Sequence, residues 1–457
     1  MQAKSSYHAV QAGPTAEPTA LVECSLPDAD GAYQTVNASQ VNVDQAIANQ
    51  AIADASGNGV VSIKIFRNNC LFASSQAIDP SVKTDGIQKN LFSATKGVIS
   101  ILTGIAYDRG LLNLDDAIDK YLPLSVFNSW GDAAHRAITI RQLLTETAGT
   151  AKGVVSEALT VLLDESIPQE ALAQPLINTP GTVFAYSQRV PDLLAYVVSR
   201  AVNQELQAFA QQNLFTPVGI PQDRYVWFRD RSFNSYGYAW LYMNPDDFAR
   251  LGLFMQNGGA WNGVRVLSED YVNQVSVPSP TNGCYGLLFW TNQVSPTSPG
   301  NDTCISPSGY FFNRSWFPSA PRDLYAMAGS PQQKNYIIPS LNMTVSWMSV
   351  LTDMGPKDDT YYQFFKALMP GILDPGFVIP GPGTYETEPF SLSTTLEAVA
   401  LEVLLADVLA SPSCNILFCN NSLHLQGLLG NLGQLLDSIL VGVDGLLSSL
   451  FASLTGA

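Results

Sequence analysis

Two stretches of alternating apolar residues stand on either side of a long run of helical pattern, and one sheet can use both only if the chain between them is set aside as a layer of its own. The first stretch, residues 60–67 and 70–73, reads as two strands around Asn68-Asn69, a pair suited to a two-residue hairpin turn. The second comprises 285–290, 324–327, 336–338 and 343–350. Between them, 91–109 carries Val98, Leu102, Ile105 and Ala106 at helical spacing and stops at Gly110, a favoured helix-ending residue. Residues 111–265 are mostly helical in pattern, with turn signals at Thr179-Pro180-Gly181, Thr216-Pro217 and Gly258-Gly259. The order strands, helices, strands, helix implies an α+β arrangement: a sheet domain from 41–110 and 266–369, interrupted by a helical domain over 111–265.

The two ends differ from this body. Residues 1–40, with Pro14, Pro18 and Pro27 and little periodicity, read as an extended arm. After Lys366 there is no Lys or Arg; 370–389 is a Pro/Gly linker, and 390–457 is Leu-rich at spacings of three and four, a helical hairpin turning around Cys414 and Cys419. It would pack on the body, or else serve a homodimer or adsorption to an apolar surface; without cations it offers no basic membrane-binding face. The net charge of −16 leaves no surface for nucleic acid, and no apolar run reaches the length of a membrane span. Six cysteines lack zinc-site spacing and sit among polar loop residues, which suits disulfides and an oxidising compartment. Order and spacing favour Cys24–Cys70, Cys284–Cys304 and Cys414–Cys419. The opening residues carry no export signal, so a secreted or periplasmic chain would have lost it already.

Three histidines more than a hundred residues apart, with no Gly-x-Ser-x-Gly and no phosphate-binding loop, argue against zinc, Ser-His-Asp and nucleotide chemistry; no metal or cofactor is expected. What remains is Ser93-Ala94-Thr95-Lys96 opening the 91–109 helix. A spacing of three puts both side chains on one face. A lysine desolvated by Val98, Ile99, Ile101 and Leu102 can serve as a neutral amine that takes the serine proton. The helix start supplies free N–H groups where an oxyanion would form. The bland alternative is an N-capping serine and a solvated lysine one turn later.

Phe92-Ser93-Ala94-Thr95-Lys96-Gly97, then Ile118-Asp119-Lys120-Tyr121-Leu122-Pro123, then Ile138-Thr139-Ile140-Arg141-Gln142-Leu143-Leu144-Thr145 with Ala148-Gly149 follow in an order that resembles the serine β-lactamase and penicillin-binding-protein superfamily. The similar branch holds class C β-lactamases, related carboxylesterases and 6-aminohexanoate-dimer hydrolases. Further matches are Phe184-Ala185-Tyr186-Ser187, Pro217-Val218-Gly219-Ile220, Trp261-Asn262-Gly263 and Tyr336-Ile337-Ile338-Pro339. The resemblance implies an antiparallel sheet flanked by helices, of β-lactamase/transpeptidase type. It implies that Tyr186, in the family's Tyr-x-Asn motif, relays the proton; Gln188 stands in place of the Asn, which weakens an amide-binding contact. For the third motif it places Gly329-Ser330-Pro331-Gln332-Gln333 on the opposite wall and makes the Gln333 N–H the second oxyanion donor beside that of Ser93. Ser330 lacks the positive charge that would hold a β-lactam carboxylate.

These departures favour an ester as the small-molecule substrate, with amides, including short nylon-type oligomers, and β-lactams behind it. A non-catalytic binding protein on the same fold is the reading from another class. Every candidate residue precedes 340, so cutting within 370–389 should leave Ser93 chemistry per folded molecule unchanged while exposing the apolar face that the hairpin covers. Light scattering and ester turnover of the truncated chain should therefore report an active but aggregating enzyme. A truncation unchanged in both would show that the hairpin does not pack on the body.

Overall fold

The computed structural model describes residues 21–56, 60–80, 87–151, 164–293, 303–330, 332–349, 360–381, 385–386, 418–419 and 422–423. Strands β1 (Val60–Arg67) and β2 (Cys70–Ser74) form the expected hairpin, and both turn residues take positive φ, 51° at Asn68 and 62° at Asn69. Asparagine tolerates that region, and the resulting twist matches that of the strands. The chain returns to this sheet some 200 residues later with β3 (Trp290–Thr291), β4 (Tyr325–Gly329), β5 (Gln333–Ile338) and β6 (Met343–Ser349). The sheet order is β2-β1-β6-β5-β4-β3, antiparallel at every pairing. Segments on either side of the helical layer thus complete one sheet.

Helices α1 (Gln45–Ala55), α2 (Thr95–Asp108), α5 (Pro245–Gln256) and α6 (Thr360–Leu368) cover its two faces, while α3 (Ile140–Leu144) packs on α4 (Arg189–Val202) and α4 on α2. Successive strand residues point to opposite faces. On β5, Asn335 donates to the Phe248 carbonyl of α5 at 2.7 Å, whereas Tyr336 presents its ring to Phe365 of α6, 5.1 Å away. On β6, Trp347 meets Phe364 of α6 in the same layer. Helix α2 lies on the α5 face against β4: a Cβ on Gly97 would meet Met327 at 2.9 Å, so the glycine sets how closely helix and strand approach. From Thr95 to Ala106 every residue of α2 is buried, which makes it the central helix.

Local departures from the sequence reading have local causes. The run 285–290 is a strand only at Trp290; Gly286 N–H donates back to the Phe289 carbonyl at 2.9 Å and Leu288 has φ 59°, a buried turn that periodicity cannot tell from a buried strand. Inside the helical segment, Leu241–Met243 pairs with Tyr225–Trp227 on one side and with Lys89–Asn90 on the other in a small second sheet, its strands too short to show a period. The 91–109 helix begins as a 3-10 turn over Phe92–Ala94 before α2 proper.

Two disulfides, Cys24–Cys70 and Cys284–Cys304, close as order and spacing suggested; Cys414 lies outside the described residues. The arm is fastened by more than sulfur: Cys24 N–H donates to the Asn68 carbonyl, Leu71 N–H to that of Gln34, and the buried Arg250 guanidinium to those of Pro27 and Asp28. The 370–389 stretch is also tied to the body, Asp374 pairing with Arg67 and the Glu386 carbonyl accepting from Arg314. The proposed hairpin over 390–457 lies outside the described residues except for Phe418–Cys419 and Ser422–Leu423, which pair antiparallel. Because Cys24 and Cys70 stand 46 residues apart in sequence, the bond restricts a long loop of the unfolded chain. Replacing both by Ser should lower stability by about 2–4 kcal/mol in chemical denaturation. No loss would mean that the hydrogen bonds alone hold the arm.

Candidate active site

The site begins where strand becomes helix. Phe92 takes φ 48°, a left-handed conformation that costs a bulky residue roughly 1–2 kcal/mol. Asn90 secures it, its Oδ1 accepting from the Phe92 N–H at 2.8 Å and the Trp240 N–H at 3.0 Å. The bend delivers Ser93, half-buried, to the opening of α2, where backbone N–H groups have no partner within the helix. One turn on, Lys96 is 1% exposed.

The Lys96 amine donates to Gln188 Oε1 at 2.8 Å, stands 3.6 Å from the centre of the Tyr186 ring and lies 3.8 Å from Glu146 Oε1. Lys96, Tyr186 and Gln188 are therefore brought together one helical turn beyond Ser93. Among the described residues no hydrogen bond joins Ser93 Oγ to the amine, which faces the ring of Tyr186 and the two side-chain oxygens. Catalytic hydrogen bonds are often long before substrate binds.

Tyr186 is held from several sides. Ala185 N–H donates to the Glu146 carbonyl at 2.9 Å, and Ser187 N–H to Glu146 Oε2 at 3.1 Å. Its ring packs edge-on to Tyr285 at 6.0 Å and against Trp290 at 5.8 Å, and Trp290 stacks on Trp316 at 4.3 Å. Burial pushes the Tyr285 hydroxyl well above the ordinary tyrosine range, and the Glu146 charge and Tyr186 add to it. Just beyond, Arg189 at the start of α4 pairs with Asp164 at 3.0 Å, Asp192 at 3.0 Å and Glu170 at 3.1 Å, and Asp192 also accepts from the Gly237 and Tyr238 N–H groups. Such a paired and hydrogen-bonded cluster fixes the entry of α4, and with it residues 186–188.

The opposite wall is the end of β4. A Cβ on Gly329 would lie 2.1 Å from the Leu91 carbonyl oxygen and 3.1 Å from the Ser93 nitrogen, so only glycine lets the strand pass the serine turn. β3 pairs with Tyr325 and Ala326 and stops short of this end. Ser330 follows, exposed; Pro331 lies outside the described residues. Gln333 is placed differently from the rest: it pairs with Gly329 from β5, one strand farther from Ser93, and its amide is engaged with the Ser349 backbone, donating at 2.6 Å and accepting at 3.3 Å.

Glu146 escaped the sequence reading. It follows α3 in Leu143-Leu144-Thr145-Glu146-Thr147-Ala148-Gly149, and an acid alone among apolar and small residues was the one available signal.

The family described as Beta-lactamase matches residues 89–363. Among curated proteins, the monacolin J acid methylbutanoyltransferase of Aspergillus terreus is 32% identical over 149 residues, 28% of this chain and 36% of that protein. Protein flp of Staphylococcus aureus strain MW2 is 26% identical over 182 residues, 38% of this chain and 36% of that one. The chain thus spans little more than a third of the length of these relatives. Of solved structures, a Bacillus anthracis protein assigned as a 6-aminohexanoate-dimer hydrolase is similar at TM-score 0.55 and 14% identity, over 75% of this chain and 88% of that one. A Bacteroides dorei DSM 17855 protein assigned as a β-lactamase is similar at TM-score 0.52 and 17% identity, over 71% and 96%. These structures have in common with this chain the helix-flanked antiparallel sheet.

The packing at Gly329 is open to test. Gly329→Ala should destabilise by about 1–3 kcal/mol in denaturant titration, the range for forcing a methyl into a filled site. An unchanged midpoint would show that the strand end can draw back from Ser93.

Proposed function

The chain belongs to the Beta-lactamase family, and from that premise we propose that it is a serine hydrolase that cleaves a carboxylic ester through an acyl-enzyme on Ser93. The observation that carries this reading is the Ser93 turn itself: a half-buried serine at a helix start, one turn before a buried lysine that contacts Tyr186 and Gln188. Ser93 Oγ attacks the carbonyl and loses its proton to the Lys96/Tyr186 pair, which gives it to the departing alcohol. Water then repeats the sequence on the acyl group. The Ser93 N–H binds the oxyanion. For the second donor, proximity favours the strand end at Gly329 and Ser330 over Gln333, which stands one strand away.

Ester leads amide and β-lactam because Gln188 replaces the family's Asn and is engaged with Lys96, and because Ser330 offers no cation to a substrate carboxylate. A second reading, acyl transfer to an alcohol in place of water, is favoured by the likeness to a methylbutanoyltransferase. Added alcohols that divert the product from acid to ester would select it. The two disulfides support a secreted or periplasmic site of action.

Fluorophosphonate should label Ser93, and Ser93→Ala should lose on the order of 10⁴-fold or more in turnover of a p-nitrophenyl ester while keeping its circular dichroism. A folded protein that neither labels nor turns over would be a binding module instead. Lys96→Ala and Tyr186→Phe should each cost about as much as the double change, since residues moving one proton as a unit are non-additive. Additive losses in kcat/KM would separate the two.

A further inference from the structure

Glu146 is wholly buried, has a left-handed backbone at φ 53°, and lies on none of the strands that wall the site. A turn at that φ is made most easily by Gly or Asn, so the turn gives no reason for a glutamate. It is engaged toward both Tyr186 and Lys96. Through its main-chain carbonyl and carboxylate it takes the N–H groups of Ala185 and Ser187, the residues on either side of Tyr186. Its other carboxylate oxygen stands 3.8 Å from the Lys96 amine, and neither charge reaches solvent. Two charges buried together and away from water are strongly coupled.

We propose that Glu146 is a positioning residue that holds one proton on behalf of Lys96 and grips Tyr186, and so sets the pH at which Ser93 becomes a nucleophile. The inference rests on the acyl-enzyme reading above. In the resting pair the amine is an ammonium and Glu146 a carboxylate. One proton passes from Lys96 to Glu146, leaving a neutral amine and a carboxylic acid. As the bond from Ser93 Oγ to the carbonyl carbon forms, the serine proton moves to the amine. When the bond to the leaving alcohol breaks, that proton departs with it through the Tyr186 hydroxyl. Water repeats both moves, and Glu146 returns its proton at the end. The groups facing the pair are Gln188 and Tyr186 from the segment before α4, and Tyr285 from the turn before β3. Gln188 is neutral and burial keeps the Tyr285 hydroxyl protonated, while the carboxylate of Glu146 lies 3.8 Å from the amine.

The test is the rate of Ser93 labelling by fluorophosphonate over roughly pH 5 to 9, where a catalytic base shows its acid limb. Glu146→Gln keeps the shape and an acceptor for Ser187 but removes the charge. Without that internal acceptor the Lys96 proton must leave to solvent before Ser93 can react, so the acid limb should move up by about one unit or more, a tenfold loss in relative rate at the acid end. Glu146→Asp, which keeps the charge, should restore the limb. Gln188→Glu places a second anion on the amine and should move the limb upward. A Glu146→Gln enzyme slowed equally at every pH, its limb unmoved, would overturn the proposal. Should that variant fail to fold, the Gln188→Glu limb decides: upward movement supports the charge coupling and an unmoved limb overturns it. If wild-type enzyme does not label at Ser93 at any pH, the acyl-enzyme reading fails first; labelling in the wild type with an unmoved limb in the variants removes the Glu146 inference alone.

Discussion

The burial of one ammonium group organises this molecule. Lys96 enters the central helix, surrounded by apolar side chains, where an unpaired charge would cost several kcal/mol. Everything that meets it comes from a different part of the chain: Glu146 from the end of α3, and Tyr186 with Gln188 from the approach to α4. To bring those segments together, the helical layer must dock on the sheet in one way. Arg189 and its carboxylates then hold the start of α4, so the electrostatics of one residue and the packing of two layers are a single constraint.

The same constraint explains the strain around the site. Left-handed backbone occurs at Phe92, immediately before Ser93, and at Glu146, which reaches Lys96. Neither residue type favours that region, and both are held by hydrogen bonds, Phe92 by Asn90 and Glu146 by the chain on either side of Tyr186. Gly329 provides the room. By omitting a side chain it lets β4 run past the Ser93 amide, so a cleft wall forms within reach of the serine. A sheet on one side and a pinned helix start on the other would, on the acyl-enzyme proposal, hold the reacting groups in place before substrate arrives.

Much of this was legible in the sequence because it depends on local pattern. Asn68-Asn69 announced its turn, and Ser93 and Lys96 announced a shared face by their spacing. Tyr186 and Gln188 came through family likeness and do converge on Lys96. Less legible were features decided by contacts between distant segments. For Gln333, counted back from Pro339, it is the pairing of β4 with β5 that sets it opposite Gly329 and brings its side-chain amide to the Ser349 backbone, which no local spacing announces. Glu146 has no motif around it; its importance lies in the depth of its burial and in a lysine 50 residues earlier in the chain. The 285–290 run misled because a buried turn and a buried strand are equally apolar.

Under the proposed mechanism Ser93 carries the acyl group during turnover. Rapid acid quench of the full chain mixed with a p-nitrophenyl acyl ester, followed by mass spectrometry of the peptide containing Ser93, tests it most directly. An acyl-enzyme on Ser93 should give a burst of one p-nitrophenol per active site and a mass increase equal to the acyl group on Ser93, absent from Ser93→Ala. Turnover with no burst and no acylated Ser93, or an acyl group found on another residue, would contradict it.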